Sequence, residues 1–224
     1  PRSTDNLEGI AEQARLSFAA RDSAREKVLP LCREVIRQSS KTIRGVHRQE
    51  FEQARYLLDS AGTVLNEASK LTTEYNEFRH SGFFRDAQKE YTEAAATLAL
   101  VREKRLPAPE ELGTDFAAYL NGLGEAVGEM RRFILDSIRR GDLSRGEDLL
   151  EAMDDIYSVL VTMDLPEAIT AGLRRTTDMV RGVLERTRSD LTLVMNQNRL
   201  EEKLGSPGDN LEKKPKRLPN REEN

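Results

Sequence analysis

Cysteine, tryptophan and long apolar runs are what this sequence does without. Cys32 is the single cysteine among 224 residues, so no disulfide can close within the chain and a thiolate metal cage is excluded. It lies between Leu31 and Val35 in a helical stretch, the setting of a buried structural thiol rather than a nucleophile. There is no tryptophan, and aromatic residues reach only 5% against 38% hydrophobic, so a single compact core would be thin. No apolar run approaches the roughly 20 residues that span a bilayer, and the opening residues lack the pattern of a secretory signal. A cytoplasmic protein with no membrane partner is therefore expected. Alternating stretches of Val, Ile and Thr are scarce as well, whereas Leu, Ala, Glu and Arg dominate, which is the vocabulary of long helices.

Lysine is also in short supply. Only nine of the 35 basic residues are Lys, and four of these, Lys203, Lys213, Lys214 and Lys216, fall near the C-terminus. The body is cationic almost entirely through Arg, whose planar fork suits phosphate and stacks on bases. A compositional bias of a GC-rich genome explains the same surplus, and both readings stand at this point. The formal net charge of −4 does not describe a uniformly basic nucleic-acid binder.

Periodicity divides the chain into an all-α succession. Leu7, Ile10, Ala14 and Phe18, then Leu31, Val35 and Ile43, recur at helical spacing, predicting one long helix from Asp5 to about Gly45 with a kink at Pro30. A second helix runs from about Arg48 to Thr73, and a linker with aromatic and basic character occupies 75–82. A third spans about Phe83 to Lys104, ahead of Pro107 and Pro109. The fourth is capped by Thr114 and ends at Gly141. Ser144 with Glu147 reads as a capping box for the fifth, and Pro166 opens a final helix reaching about Leu204. The Pro-, Lys- and Glu-rich residues 205–224 are expected to be a disordered charged tail, leaving residues 1–204 as one helical domain. These spans predict an antiparallel bundle of six to seven long helices. A helix of 35 residues is about 50 Å long, more than a compact monomer requires, so the surplus apolar surface predicts oligomerisation.

Two acidic pairs stand out. Glu90 and Glu93 are three apart in the third helix, Glu125 and Glu129 four apart in the fourth, and either spacing puts both side chains on one face. Opposed, two such faces offer the oxygen ligands that Mg²⁺ prefers; such a centre activates water and steadies the charge on a phosphodiester. Glu90 and Glu93 share their side with Phe83, Ala94, Thr97 and Val101, where a carboxylate is costly unless liganded. Glu125 and Glu129 lie opposite the stripe of Phe116, Leu120, Leu123, Val127, Met130 and Ile134, beside Ala118, Gly122, Arg132 and Asp136. Taken alone that is an ordinary solvated face. Gly122, Gly124 and Gly128 each cost about 1 kcal/mol relative to Ala within a helix, and their use would be close approach by another helix or a ligand.

The segments Arg33-Glu34-Val35-Ile36 and Ile43-Arg44-Gly45-Val46-His47, and above all Tyr119-Leu120-Asn121-Gly122-Leu123-Gly124-Glu125-Ala126-Val127-Gly128-Glu129-Met130-Arg131-Arg132, resemble the translin family over about residues 7 to 202. Ser137 and the turn at Gly141-Asp142 extend the likeness. The resemblance implies a helical bundle assembled into an oligomeric shell, here a homo-octamer of a prokaryotic, archaeal single-gene member. It further implies binding of single-stranded RNA, with single-stranded DNA as a second possible ligand. In the catalytic branch, translin-associated factor X, a Glu-x-x-Glu pair meets two acids on the helix of the central block to form a Mg²⁺-dependent endoribonuclease site. Glu90-Tyr91-Thr92-Glu93 matches the first element, and Glu125 and Glu129 fall on the second. By that resemblance all four are the expected catalytic residues and ligands of Mg²⁺, or of Mn²⁺ in its place. The catalytic branch has Asp where this chain has Glu125.

The family also uses a basic, His-containing segment before the third helix for nucleic acid. Arg79 and His80 stand there and are expected to contact phosphate, with Arg85 as a helper, although the family's second His aligns near Gly82. Phe78, Phe83 or Phe84 could stack on a base, or serve as core. Two further readings remain beside the nuclease: a non-catalytic module that sequesters single-stranded nucleic acid, and a structural bundle that binds a protein partner.

Overall fold

The computed structural model describes residues 3–73 and 75–204; the expected tail at 205–224 lies outside them. Nine helices and no strand occur among the described residues: α1 Leu7–His47, α2 Phe51–Leu71, α3 Asn76–Arg79, α4 Gly82–Val101, α5 Pro109–Leu112, α6 Phe116–Arg139, α7 Gly146–Val161, α8 Glu167–Thr170 and α9 Leu173–Leu204. Of the six long helices, α1, α2, α4, α6 and α7 match the expected spans closely. Helix α1 continues through Pro30 although the imino nitrogen cannot donate to the carbonyl one turn back.

Helix α4 is the centre of the bundle. It packs on α1 and α2 on one side and on α6 on the other, while α6 carries α7 and α9. Its composition permits this double burial. Ala87, Ala94, Ala95 and Ala96 are buried, and such short side chains let neighbouring backbones approach. Glycine does the same at two crossings. A Cβ on Gly45 would lie 3.2 Å from the Ala54 Cβ, and one on Gly122 would lie 2.6 Å from the carbonyl oxygen of Lys89. The core is filled by Val28, Val35, Val46, Leu65, Phe84, Met130, Ile134, Leu149, Met153 and Leu160.

Helix α1 has two unlike halves. From Val28 onward its apolar stripe is buried, but Leu7, Ile10, Leu16 and Phe18 stand exposed. At 41 residues it is about 60 Å long and overruns the bundle. The far end of α9 does likewise, with Leu193, Leu200 and Leu204 exposed.

Three expected helix starts are corrected. Asp115, not Thr114, caps α6: its Oδ1 accepts from the Ala118 amide at 2.8 Å. Ser144 forms no capping box, because its amide and hydroxyl both turn back to Asp142 Oδ1, at 3.0 and 2.7 Å, and α7 begins only at Gly146. Pro166 does not open the last long helix. It caps the single turn α8, after which Ala171 (φ 51°) and Gly172 (φ 88°) take left-handed conformations and break the axis before α9. Buried Asn121 secures this elbow, donating to the carbonyl of Thr170 at 3.0 Å and accepting from the Thr176 hydroxyl at 2.6 Å.

Candidate metal centre between α4 and α6

The Gly122 contact brings the acidic face of α4 against that of α6. Carboxylate oxygens of Glu90, Glu93 and Glu125, one from each, lie within 4.8 Å of one another, and all three residues are half-buried. The face of α6 that looks solvated in the sequence is therefore covered, because α4 packs over it. The expected role of the glycines holds for Gly122 and for Gly124, where a Cβ would collide with the Thr176 methyl of α9, but not for Gly128, which has open space.

Burial, reinforced by neighbouring like charge, governs the electrostatics. Burial first, then the charges of Glu125, Glu90 and Glu129, push the Glu93 carboxyl up to about 8. Burial, with Glu125 next, also raises Glu90. Both shifts follow from confining negative charge where water is scarce. Among the described residues one cation answers them: the Lys89 ammonium donates to Glu125 Oε1 at 2.7 Å and lies 4.0 Å from Glu90 Oε1. Burial opposes that ammonium, but the hydrogen bond and charge of Glu125, then Glu90 and Asp86, hold its pKa above the ordinary lysine value.

Glu129, the fourth expected ligand, is not one of the three clustered acids. Its carboxylate accepts from the His47 ring across 2.5 Å and lies 3.8 Å from the Arg132 guanidinium. The His47 side chain is only 6% exposed, and its Nδ1 is buried without a partner. Thr97, one turn beyond Glu93 on the same helical face, likewise has a buried hydroxyl with no partner. Hard oxygen donors in excess of positive charge, with unsatisfied buried polar atoms alongside, are what a divalent cation with its waters would fit.

Lys89 and His47 were not singled out by sequence reasoning. Lys89 adjoins the Glu-x-x-Glu pair directly, a signal that was available. His47 pairs with a residue 82 positions away, which only the α1–α6 packing reveals.

The expected nucleic-acid residues separate into two groups. Arg79 and His80 are exposed at the end of α3, whereas Arg85 lines a cavity that also contains Lys89 and Glu125. Tyr75, Phe78 and Phe83 form a run of tilted rings, with centroids 5.8 and 6.3 Å apart, and Phe78 and Phe83 are half-buried. Phe84 is fully buried in the core, so it is no stacking residue.

No family model matches the chain. It is 30% identical over 194 residues to an uncharacterized protein of Methanocaldococcus jannaschii, covering 84% of this chain and 83% of that one. Among solved structures it is similar to AfC3PO of Archaeoglobus fulgidus, with 33% identity, a TM-score of 0.77, and coverage of 85% of this chain and 99% of that one. The AfC3PO–duplex RNA complex matches with 31% identity and a TM-score of 0.75 over the same shares. The fold alone is shared with apo-NeC3PO of Neurospora crassa, with 20% identity, a TM-score of 0.72, and 85% and 97% coverage. With the all-helical architecture and relatives of this extent, the chain belongs to the translin family.

Proposed function

We propose that this protein is a divalent-metal-dependent endoribonuclease whose centre is formed by Glu90, Glu93 and Glu125, with Glu129 completing the set from its place on His47. The observation that carries this reading is the convergence of three carboxylates within 4.8 Å across the α4–α6 contact. RNA is the substrate class we propose because AfC3PO, 33% identical to this chain, forms a complex with duplex RNA. A single strand is the form we propose for cleavage, since an unpaired backbone bends more readily into a groove between two helices.

Mg²⁺ or Mn²⁺, when bound, would supply Lewis-acid polarisation of the phosphoryl oxygen and a more acidic water. The protein's own residues do the rest. Glu90, Glu93 and Glu125 offer oxygen ligands from two helices whose spacing is fixed by Gly122. Burial and the neighbouring carboxylates push the Glu93 carboxyl up to about 8, which favours a bound cation beside it, and one acid of the set would accept a proton from the attacking water. Lys89 supplies positive charge to Glu125 and would release that carboxylate to a bound metal. Arg85 holds phosphate beside the cluster, with Arg79 and His80 guiding the strand further out. The exposed Leu7, Ile10, Leu16 and Phe18 support association into a homo-octameric shell, with a solution mass near eight times 25.3 kDa.

The test is incubation of purified protein with single-stranded RNA in Mg²⁺, in Mn²⁺ or in chelator. Cleavage should require metal and fall about 100-fold or more in Glu93→Gln and in Glu129→Ala, with the oligomer and RNA binding intact. Wild-type cutting by either variant would end the proposal. One observation favours a second reading, a non-catalytic RNA- or single-stranded-DNA-binding protein: the Lys89–Glu125 pair already neutralises part of the cluster. Retardation of RNA with no cleavage in either metal would select it.

A further inference from the structure

The α4–α6 groove does not end at the acids. It widens into a cavity of about 790 Å³ that runs from Lys89 and Glu125 to the α8–α9 elbow, within the size range of small-ligand sites. Three cations line it: Arg85 and Lys89 from α4, and Arg175 from the first turn of α9. Lys89 is engaged by Glu125, whereas Arg85 and Arg175 form no ion pair among the described residues. Two unengaged guanidinium forks brought to one cavity by two different helices are suited to a phosphate group.

The remaining lining is equally selective. Asp86 and Glu167 add carboxylates beside those cations, so the cavity is close to charge-balanced and a bare anion gains little from it. A ligand that carries both an anion and hydroxyl donors fits better, because carboxylates accept hydrogen bonds from sugar hydroxyls. Ala117, Ala168 and Met179 supply a small apolar surface, and a methionine thioether is well suited to the edge or face of an aromatic base. The wall bearing Arg175 is also held at a cost. Ala171 keeps a left-handed backbone, a conformation that disfavours a residue with a Cβ, and buried Asn121 ties both sides of the elbow to α6. Strain maintained by a dedicated buried side chain points to a functional surface.

We propose that this cavity is a ribonucleotide subsite, in which Arg85 and Arg175 grip the phosphate flanking the scissile one and Asp86 or Glu167 accepts from the ribose 2′-hydroxyl. The proposal deepens the nuclease reading, on which it rests for the position of the scissile bond. Binding to the subsite needs no metal and is tested apart from cutting.

Adenosine 5′-monophosphate is titrated calorimetrically into the full chain in chelator, against Arg175→Ala, Arg85→Ala and Arg175→Lys, with Arg181→Ala as a charge-matched control on α9 outside the cavity. Arg175 is exposed, and unchanged thermal unfolding verifies that its variants are folded. We expect each Ala variant within the cavity to bind about tenfold more weakly, Arg175→Lys to fall between, and Arg181→Ala to match wild type. The 2′-deoxy nucleotide should bind about fivefold more weakly than the ribonucleotide, since the 2′-hydroxyl is what separates RNA from DNA. No binding by wild type, equal losses in Arg175→Ala and Arg181→Ala, or equal affinity for the deoxy nucleotide would each overturn the assignment. Arg175-dependent nucleotide binding in a protein that never cuts RNA would sustain the subsite and dismiss the nuclease. Metal-dependent cutting with nucleotide binding indifferent to Arg175 would do the reverse.

Discussion

Glu125 and Glu129 stand one turn apart on α6, on one face and half-buried to a similar degree, with side-chain exposures of 31% and 24%. Their surroundings have little else in common. Glu125 sits beside Glu90 and Glu93 and meets the ammonium of Lys89, a side chain that also lines the adjoining cavity. Glu129 meets the His47 ring, fixed in the packed end of α1 and almost closed to solvent. One acid is held by a lysine within the cluster of three carboxylates, the other by a buried histidine at its margin. Identical spacing on a helix thus produces two different devices, and the neighbouring helix decides which.

Removing each acid should separate the two environments. Glu129→Ala strands the His47 ring, already without a partner at Nδ1, and should cost about 1–3 kcal/mol, the usual penalty for a buried polar group left unmade. For a chain of this size that lowers Tm by roughly 2–4 °C per kcal/mol. Glu125→Ala relieves the repulsion on Glu90 and Glu93 and leaves Lys89 near Glu90, so its metal-free stability should stay within about 0.5 kcal/mol of wild type. Thermal unfolding of both variants in chelator decides this; equal losses would erase the distinction.

The crowd around Glu93 gives the next largest effect. Its carboxyl is raised in the folded chain to about 8 from 4.5, so the folded state binds a proton that the unfolded state releases. Its contribution to stability is complete below pH 4.5 and is lost as pH rises through 8. Metal-free Tm should therefore decline between pH 5 and pH 9, Glu93→Gln should flatten that decline, and Mg²⁺ should restore stability at the alkaline end. A wild-type Tm that is level across this range in chelator would remove charge crowding from the account.

The smallest effect tests the helix between the two acids. Gly128 has open space at its missing Cβ, so Gly128→Ala should stabilise by about 0.5–1 kcal/mol through helix propensity. Denaturant unfolding measures it. Destabilisation would mean that this bare patch of α6 is covered in the assembled protein.

Much of this architecture was legible in the amino-acid order. Helical spacing of Leu, Val and Ala outlined α1, α2, α4, α6 and α7, and the Glu90–Glu93 pair drew attention through its apolar neighbours. The far side of α6 was not legible. A stripe analysis assigns one buried face to a helix, but α6 is covered twice, by α4 as well as by α7 and α9, and Ala118 and Gly122 are buried beside Glu125. The elbow at Ala171 was equally hidden, since the left-handed alanine is accompanied by hydrogen bonds from Asn121, 50 residues upstream, to the carbonyls of Thr170 and Ala171. The partner of Glu129 escaped for the same reason. Tertiary contacts chose these features, and no local pattern encodes them.

Gly122 has one more consequence. Because its α-carbon faces the Lys89 carbonyl with no room for a methyl group, the gap between the two acidic helices is gauged by main chain against main chain. Substitutions that loosen or refill the bundle interior elsewhere leave such a stop untouched, so the bite of the carboxylate jaws is insulated from drift in the rest of the core. A methyl group at this one position would act as a wedge, prising the jaws apart while the helices themselves stayed whole.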